Sequence, residues 1–194
     1  MKIFTIAAAT VLSFLFVATP VFAQSGGSVE LRGGVNVAVD QFAGTDLSTG
    51  SALEIGLDVR VAPALFVYGA WDWQNRGAKS PLFGATVDVE DTGYAFGLKF
   101  VAPGSSRAKP WLRAGGLWNH VEIENEAAGD LIADSEHTWG FEVGGGLDIG
   151  LSDRWSLNPG VRYRRFEPNV RFGGLESSAT LSYVVIDVGV ALKF

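Results

Sequence analysis

The sequence predicts an all-β fold, an eight-stranded antiparallel up-and-down β-barrel that spans a membrane. Three observations predict it. After residue 27, apolar side chains recur at every second position in eight segments, which is the pattern of strands with one apolar face. The opposite faces carry glycines and balanced charges. The connections alternate between short and long, which is typical of bacterial outer-membrane barrels with an even number of strands.

The composition excludes several other classes of protein. The 194 residues include no Cys, which rules out zinc fingers, disulfide scaffolds and thiol nucleophiles. The net charge of −6 argues against a nucleic-acid partner, because phosphates require a cationic surface. Only residues 3–23 form an apolar run long enough to cross a bilayer as a helix, which excludes a membrane protein with several transmembrane helices. We expect neither a cofactor nor a resident metal.

Residues 1–23 have the layout of a cleavable signal peptide. Lys2 provides the positive charge, residues 3–19 the apolar core, and Pro20 ends the helix ahead of the small-residue pattern at 21–23. An uncleaved membrane anchor is the alternative. No Cys follows, so a lipoprotein anchor is excluded. The chain is thus divided into a signal peptide, 1–23, and one barrel domain, 24–194.

The eight segments follow in order along the chain. They lie near 29–37, 53–61, 65–74, 92–100, 111–123, 139–151, 155–166 and 180–194. The fifth changes parity, because Leu112 and Trp118 share one face whereas Val121 and Ile123 fall on the other. We therefore predict a β-bulge near Gly115 and Gly116.

The seventh segment contains Pro159, which should cost one hydrogen bond of the ladder. The connections at 62–64, 101–109 and 152–154 are predicted to be periplasmic turns. The other links, near 39–50, 75–91, 124–138 and 167–179, are predicted to be the long external loops.

Alternation alone does not distinguish a soluble, lipocalin-like barrel from one whose apolar face meets lipid. Charges on the polar faces favour the lipid-facing barrel. Seven acids match seven bases there, and a narrow lumen requires such pairing. This predicted lumen charge network comprises Glu30, Arg32, Glu54, Asp58, Arg60, Asp72, Lys99, Arg113, Glu142, Asp148, Arg162, Arg164, Asp187 and Lys193. Aromatic residues gather at the segment ends, as interfacial girdles require. They are Trp71, Trp73, Trp118, Trp139 and Tyr163 on the long-loop side and Phe100, Trp155 and Phe194 on the other.

The last segment alternates from Val184 to the terminal Phe194, with Tyr183 before it. It resembles the terminal signal by which the barrel-assembly machinery recognises its substrates. Together with the signal peptide and the eight segments, residues 24–194 resemble small outer-membrane β-barrel-domain proteins of the porin-family or OmpA/OmpX-like type. The resemblance implies export to the outer membrane of a Gram-negative bacterium and contact with lipid and lipopolysaccharide. A shared fold does not fix an activity.

Catalytic residues are not expected. Outer-membrane lipid A deacylases use a His-x-Ser pair, whereas here His120 and His137 are each followed two residues later by another residue type. Ser135 precedes His137 by two positions, which is the reverse order. His120 lies near the end of the fifth segment and His137 before the sixth, so the hairpin could bring them close. We interpret both as loop or interfacial residues, with a lipid A-modifying hydrolase as a distant alternative.

The third loop and the fourth suggest surface contacts. The third is acidic and should be solvated, with a calcium site as the alternative. Its acids are Glu122, Glu124, Glu126, Asp130, Asp134 and Glu136. Arg165, with Arg171, is a candidate to hold lipopolysaccharide phosphate around the fourth loop. The alternative is an interfacial arginine that snorkels to the head groups. The sequence thus favours a monomeric protein with a structural or surface-interaction role. A small porin is the alternative.

Overall fold

The computed structural model describes residues 26–42, 44–78, 86–125, 127–172 and 175–194. The predicted signal peptide lies outside these residues. Within them there are eleven strands: β1 (Gly27–Ala38), β2 (Gly50–Ala62), β3 (Leu65–Gly77), β4 (Val87–Val101), β5 (Ala108–Asn125), β6 (Leu131–Ser135), β7 (Thr138–Gly150), β8 (Trp155–Phe166), β9 (Asn169–Phe172), β10 (Leu175–Ser178) and β11 (Leu181–Lys193). None of these residues forms a helix long and apolar enough to cross a membrane.

Eight of the strands close into the predicted antiparallel barrel. They follow one another around it in the order β1, β2, β3, β4, β5, β7, β8 and β11, and β11 pairs back with β1. Aliphatic side chains in the middle of the strands point outward, as the alternation predicted. Leu98, Val143, Ile186 and Val188 are all about half exposed. This outward row is what a lipid-facing surface requires.

The other three strands extend the wall beyond the barrel at the long-loop end. The upper part of β5 pairs with β6, β6 pairs with β9, and β9 pairs with β10. The sequence had assigned these residues to loops. The barrel strands β3 and β4 are also longer than predicted, because they continue to Gly77 and begin at Val87.

Polarity reverses in this extension, and the reversal explains a wrong prediction. Gly115 and Gly116 pair in unbroken register with β4 and β7, so there is no bulge there. Instead Val121 and Ile123 point inward, on the same face as Leu117. Beyond the bilayer the outside of the barrel meets water, so the apolar residues turn to the interior as in a soluble protein. The change of parity marks the membrane boundary.

The inward apolar side chains of the extension pack into one cluster, here called the apolar cap, and each is at most 7% exposed. It comprises Phe42, Leu47, Val87, Val89, Val121, Ile123, Ala133, Phe166, Val170 and Leu181. The cap covers the long-loop end of the lumen.

The ladder defect predicted at Pro159 is present. On one side Pro159 pairs with Val188 of β11. On the other side the β7–β8 register passes from Gly146–Gly160 directly to Ile149–Leu157. Proline has no N–H to donate, so the interruption falls where a donor is missing.

Candidate functional site

The lumen is filled by ion pairs, which begin near the short-turn end. Alternation along β1 points Glu30 and Arg32 inward. Arg32 binds Glu30 at 2.7 Å and Asp187 of the adjacent β11 at 2.5 Å. Lys99 of β4 reaches past β3 to Asp58 of β2, with its Nζ 2.6 Å from Oδ2. The lowest layer of the lumen therefore holds three acids and two bases, and Asp187 is shared with a base of the layer above.

A second layer lies at the middle of the barrel. Arg113 of β5 donates to both oxygens of Glu54, at 3.0 and 2.9 Å, and lies 2.6 Å from Glu142. Arg162 of β8 contacts Glu54 as well and donates to Asp187 at 2.5 Å. Each carboxylate is shared by more than one cation, so the layers form a connected network.

The third layer lies below the apolar cap. Arg164 forms a two-point pair with Asp72 of β3, and Arg76 lies 2.6 Å from Asp91. The Tyr183 hydroxyl donates to Asp91 at 3.1 Å. Arg76 and Asp91 were assigned to a loop and missed. Continuing the inward parity of Asp72 through Gln74 would have found Arg76.

The fourteen predicted lumen residues divide into three groups. Eleven are at most 7% exposed: Glu30, Arg32, Glu54, Asp58, Asp72, Lys99, Arg113, Glu142, Arg162, Arg164 and Asp187. Asp148 and Lys193 pair at 2.8 Å but lie partly exposed at the short-turn rim. Arg60 is exposed and covers the ring of Phe66. Arg60 therefore lies outside the buried network, at the short-turn mouth, where it lines the same cavity as Asp58 and Lys99.

Lumen glycines make room for this packing. A Cβ on Gly160 would lie 2.5 Å from Cζ2 of Trp111 and 2.9 Å from Nη2 of Arg32. Only glycine leaves space for both side chains at this height. A cavity of about 160 Å³ remains at the short-turn mouth, lined in part by Asp58, Lys99 and Lys193.

A row of aromatic side chains lies on the outer surface at the long-loop end. Trp71, Tyr94, Trp118 and Trp139 are register neighbours on four adjacent strands and form an aromatic row around this side. Tyr94 and Trp118 stack with ring centroids 6.2 Å apart. Such a row marks the interface between hydrocarbon and head groups.

Two histidines lie immediately above the aromatic row. The rings of His120 and His137 are 4.6 Å apart, and His137 also packs on Trp118 at 4.5 Å. His120 Nε2 is 3.1 Å from Glu122 Oε1. Partial burial and the neighbouring His120 lower the pKa of His137. The two histidines lie on the arms of one predicted hairpin, which could bring them close, and in the structure their rings are in contact.

Ser135 and His137 are not brought together as a nucleophile and its base. Ser135 points inward, and its Oγ accepts a hydrogen bond from the Val121 N–H at 2.9 Å. His137 is exposed on the opposite face. β6 ends at Ser135 and β7 begins at Thr138, so regular alternation is interrupted between the two residues and their side chains end on opposite faces.

Acidic side chains form the next level on the outer surface. Glu90, Glu122 and Asp134 are register neighbours on β4, β5 and β6. Burial raises the pKa of the Glu90 carboxyl, and the nearby Glu122 and Glu124 carboxylates raise it further. Glu126 lies outside the described residues. Among those described, no three acids or histidines converge closely enough to hold a metal ion.

The two arginines proposed as phosphate contacts are both exposed and ion-paired. Arg165 lies 3.4 Å from Glu167, and Arg171 lies 2.9 Å from Glu136. Arg165 follows Tyr163, whose ring packs against Phe141 at 6.1 Å. It therefore projects from the outer wall close to outward aromatic rings.

The proposed assembly-signal residues lie on different faces. Phe194 is about half exposed at the short-turn end. Tyr183 is fully buried in the lumen, where the guanidinium of Arg76 covers its ring at 4.2 Å. The side chain of Tyr183 is thus part of the third layer of the lumen network.

Comparisons with known proteins agree with this architecture. The family model described as outer membrane protein beta-barrel domain matches residues 9–194. Among solved structures, Neisserial surface protein A is 17% identical with a TM-score of 0.63, covering 87% of this chain and 97% of its own. OprG from Pseudomonas aeruginosa is 16% identical with a TM-score of 0.58, and the coverage is 87% and 96%. Outer Membrane Protein W of E. coli is 17% identical with a TM-score of 0.55, and the coverage is 87% and 98%. Among curated proteins there is no match.

Proposed function

The chain belongs to the outer membrane protein beta-barrel domain family, and we propose that this member has a structural or surface-interaction role, as a monomer, without catalysis or steady conductance. It lies in the outer membrane of a Gram-negative bacterium. We further propose that the segment ending at Phe194 is recognised by the barrel-assembly machinery during insertion.

The observation that carries the proposal is the filled lumen. An aqueous path would have to separate pairs such as Arg164–Asp72 and Arg113–Glu54, in which every side chain is buried. Removing the partner of a buried ion costs about 3–5 kcal/mol. The apolar cap would also have to open to water. The buried ion pairs and the apolar cap both block passage along the barrel axis, so the closed lumen is strongly favoured.

The absence of catalysis rests on the placement of the candidate groups. A serine hydrolase needs its nucleophile and base within hydrogen-bond reach. Here Ser135 points inward whereas His137 points outward, and Ser135 Oγ is already an acceptor for Val121.

Single-channel recording of the refolded protein in planar bilayers tests the proposal, with a general porin as the positive control. Silence or rare small events support a structural or surface role. Steady nanosiemens-scale openings would overturn it.

A small passive channel is the second candidate, and one observation favours it. The cavity at the short-turn mouth is lined in part by Lys99 and Asp58, so the mouth is open as far as the first ion pairs of the lumen. Ion pathways are lined by charged rings of this kind. The recording described above separates the two candidates.

For the external surface we propose contact with lipopolysaccharide through Arg165, aided by Arg171. The Arg165–Glu167 pair is long, and its side chains are 44% and 59% exposed. Exposed pairs contribute about 0–1 kcal/mol, so a phosphate could replace Glu167 at little cost. The planar guanidinium binds phosphate at two points, and outward aromatic rings lie nearby.

The double variant Arg165→Gln/Arg171→Gln tests this contact. We expect it to co-purify with less lipopolysaccharide and to lose the heat stability that added lipopolysaccharide confers. Arg154→Gln, which removes a cation at the opposite end of the barrel, is the matched control. Unchanged co-purification and heat stability in the double variant would refute the contact.

A further inference from the structure

The sequence contains two histidines, and the fold brings them together. His120 follows Asn119 on β5, and His137 precedes Thr138 on β7. Asn119 and Thr138 are register partners, so the histidines emerge side by side from neighbouring strands. Their ring centroids are 4.6 Å apart at a tilt of 41°. Two imidazoles at this separation can present nitrogen atoms to one common ligand.

The hydrogen bonding of His120 leaves one nitrogen available. Its Nε2 lies 3.1 Å from Glu122 Oε1, and a carboxylate can only accept, so Nε2 carries the proton. Nδ1 then holds a lone pair. This atom is buried and has no hydrogen-bond partner. A buried acceptor without a donor is costly, and such an orphaned group requires an explanation.

A metal ion supplies that explanation. Histidine ligands of metals commonly donate their other ring N–H to a carboxylate, which fixes the tautomer and orients the ring. Glu122 stands in this relation to His120. The neighbouring acids, including Glu90 and Asp134, make the surface attractive to cations.

The ligand type selects the metal. Calcium and magnesium prefer oxygen ligands, whereas imidazole suits zinc, copper and nickel. Since no third ligand among the described residues converges on the pair, water would complete the coordination.

We propose that His120 and His137 form a two-histidine site on the external surface for one divalent transition-metal cation of the copper, nickel or zinc class. Glu122 acts as a positioning residue that holds the ring of His120.

Fluorescence titration of untagged, refolded protein with Cu²⁺ tests the site. The ring of Trp118 lies 4.5 Å from that of His137, so bound Cu²⁺ should quench its emission. We expect one ion per chain by calorimetry. His120→Gln and His137→Gln should each weaken binding at least ~10-fold, since each leaves a single imidazole. Trp118→Phe should lose most of the quenching while the calorimetric affinity stays the same.

The positioning role of Glu122 is tested by comparing a variant that removes its oxygen acceptor with one that keeps it. Glu122→Leu should weaken Cu²⁺ binding about 10-fold, the lower end of the usual effect of such an outer carboxylate. Glu122→Gln, which keeps an oxygen acceptor at that position, should recover most of it. Heat-modifiable migration establishes that every variant is folded.

Asp134→Asn is the matched control, because it removes a nearby acid that contacts neither histidine. It should bind Cu²⁺ like the wild type, and excess Ca²⁺ should not compete. The proposal is overturned if both histidine variants keep wild-type affinity. It is equally overturned if excess Ca²⁺ or Asp134→Asn abolishes binding, because the ligands would then be carboxylates.

Discussion

Arg164 and Asp72 meet inside the barrel from β8 and β3, strands that lie on opposite sides of the lumen. Nη1 is 2.6 Å from Oδ1 and Nη2 is 2.7 Å from Oδ2, and neither side chain is accessible. The pair therefore cross-links the wall through its interior. Buried pairs of this kind fix the geometry even where their net contribution to stability is modest.

Replacing Arg164 should destabilise the barrel severely. Arg164→Gln leaves the Asp72 carboxylate buried with Asn119 as its remaining hydrogen-bond donor, at 3.1 Å. We expect a loss of about 3–5 kcal/mol in the free energy of unfolding, measured by urea titration in lipid vesicles. Arg154→Gln, at an exposed turn, should change it by less than ~0.5 kcal/mol. Equal effects would show that the lumen pair is not buried.

Introducing a charge should destabilise the protein at one exposed leucine and have little effect at another. Leu98 is 51% exposed on the part of β4 between the aromatic row at Tyr94 and the short-turn end, and Leu131 is 56% exposed on the extension. Leu98→Arg should cost about 2–4 kcal/mol, because the charge would enter hydrocarbon. Leu131→Arg should be nearly neutral, because that side chain meets water. The same vesicle titration compares them, and a neutral Leu98→Arg would refute the lipid-facing assignment.

Truncation within the apolar cap should loosen the extension alone. Ile123→Ala removes a side chain that is 1% exposed, a change that typically costs about 2–5 kcal/mol. We expect faster proteolysis of β6 and β9 while the barrel keeps its heat-modifiable migration. Leu131→Ala, on the exposed side of the same extension, is the control. Unchanged proteolysis would mean that the cap does not hold these strands.

Adding a methyl group at a lumen glycine should destabilise the barrel. Gly160→Ala would place its Cβ against Trp111, and such overpacking costs about 1–3 kcal/mol. Gly69 lies on the outer wall with nothing within 4 Å of an added Cβ, so Gly69→Ala should be tolerated. Thermal unfolding of both variants in detergent measures the difference. Equal tolerance would indicate a lumen wider than the one described.

The sequence by itself determined the closed eight-stranded architecture, the lipid-facing direction and the ladder defect at Pro159. These follow from period-two alternation and from proline chemistry, which are local properties of the chain. Eleven of the fourteen charges selected by inward parity are buried, because a strand sends every second residue to the same side.

Only the tertiary structure decided what happens beyond the bilayer. The parity change at Val121 and Ile123 was interpreted as a bulge, although β5 continues in register and the solvent outside it changes. The partners of Arg76 and the contact between His120 and His137 depend on which strands lie side by side. Those choices are set by barrel closure, since pairing across the lumen joins residues far apart in the chain. Alternation gives the face of a side chain, whereas closure gives its neighbours.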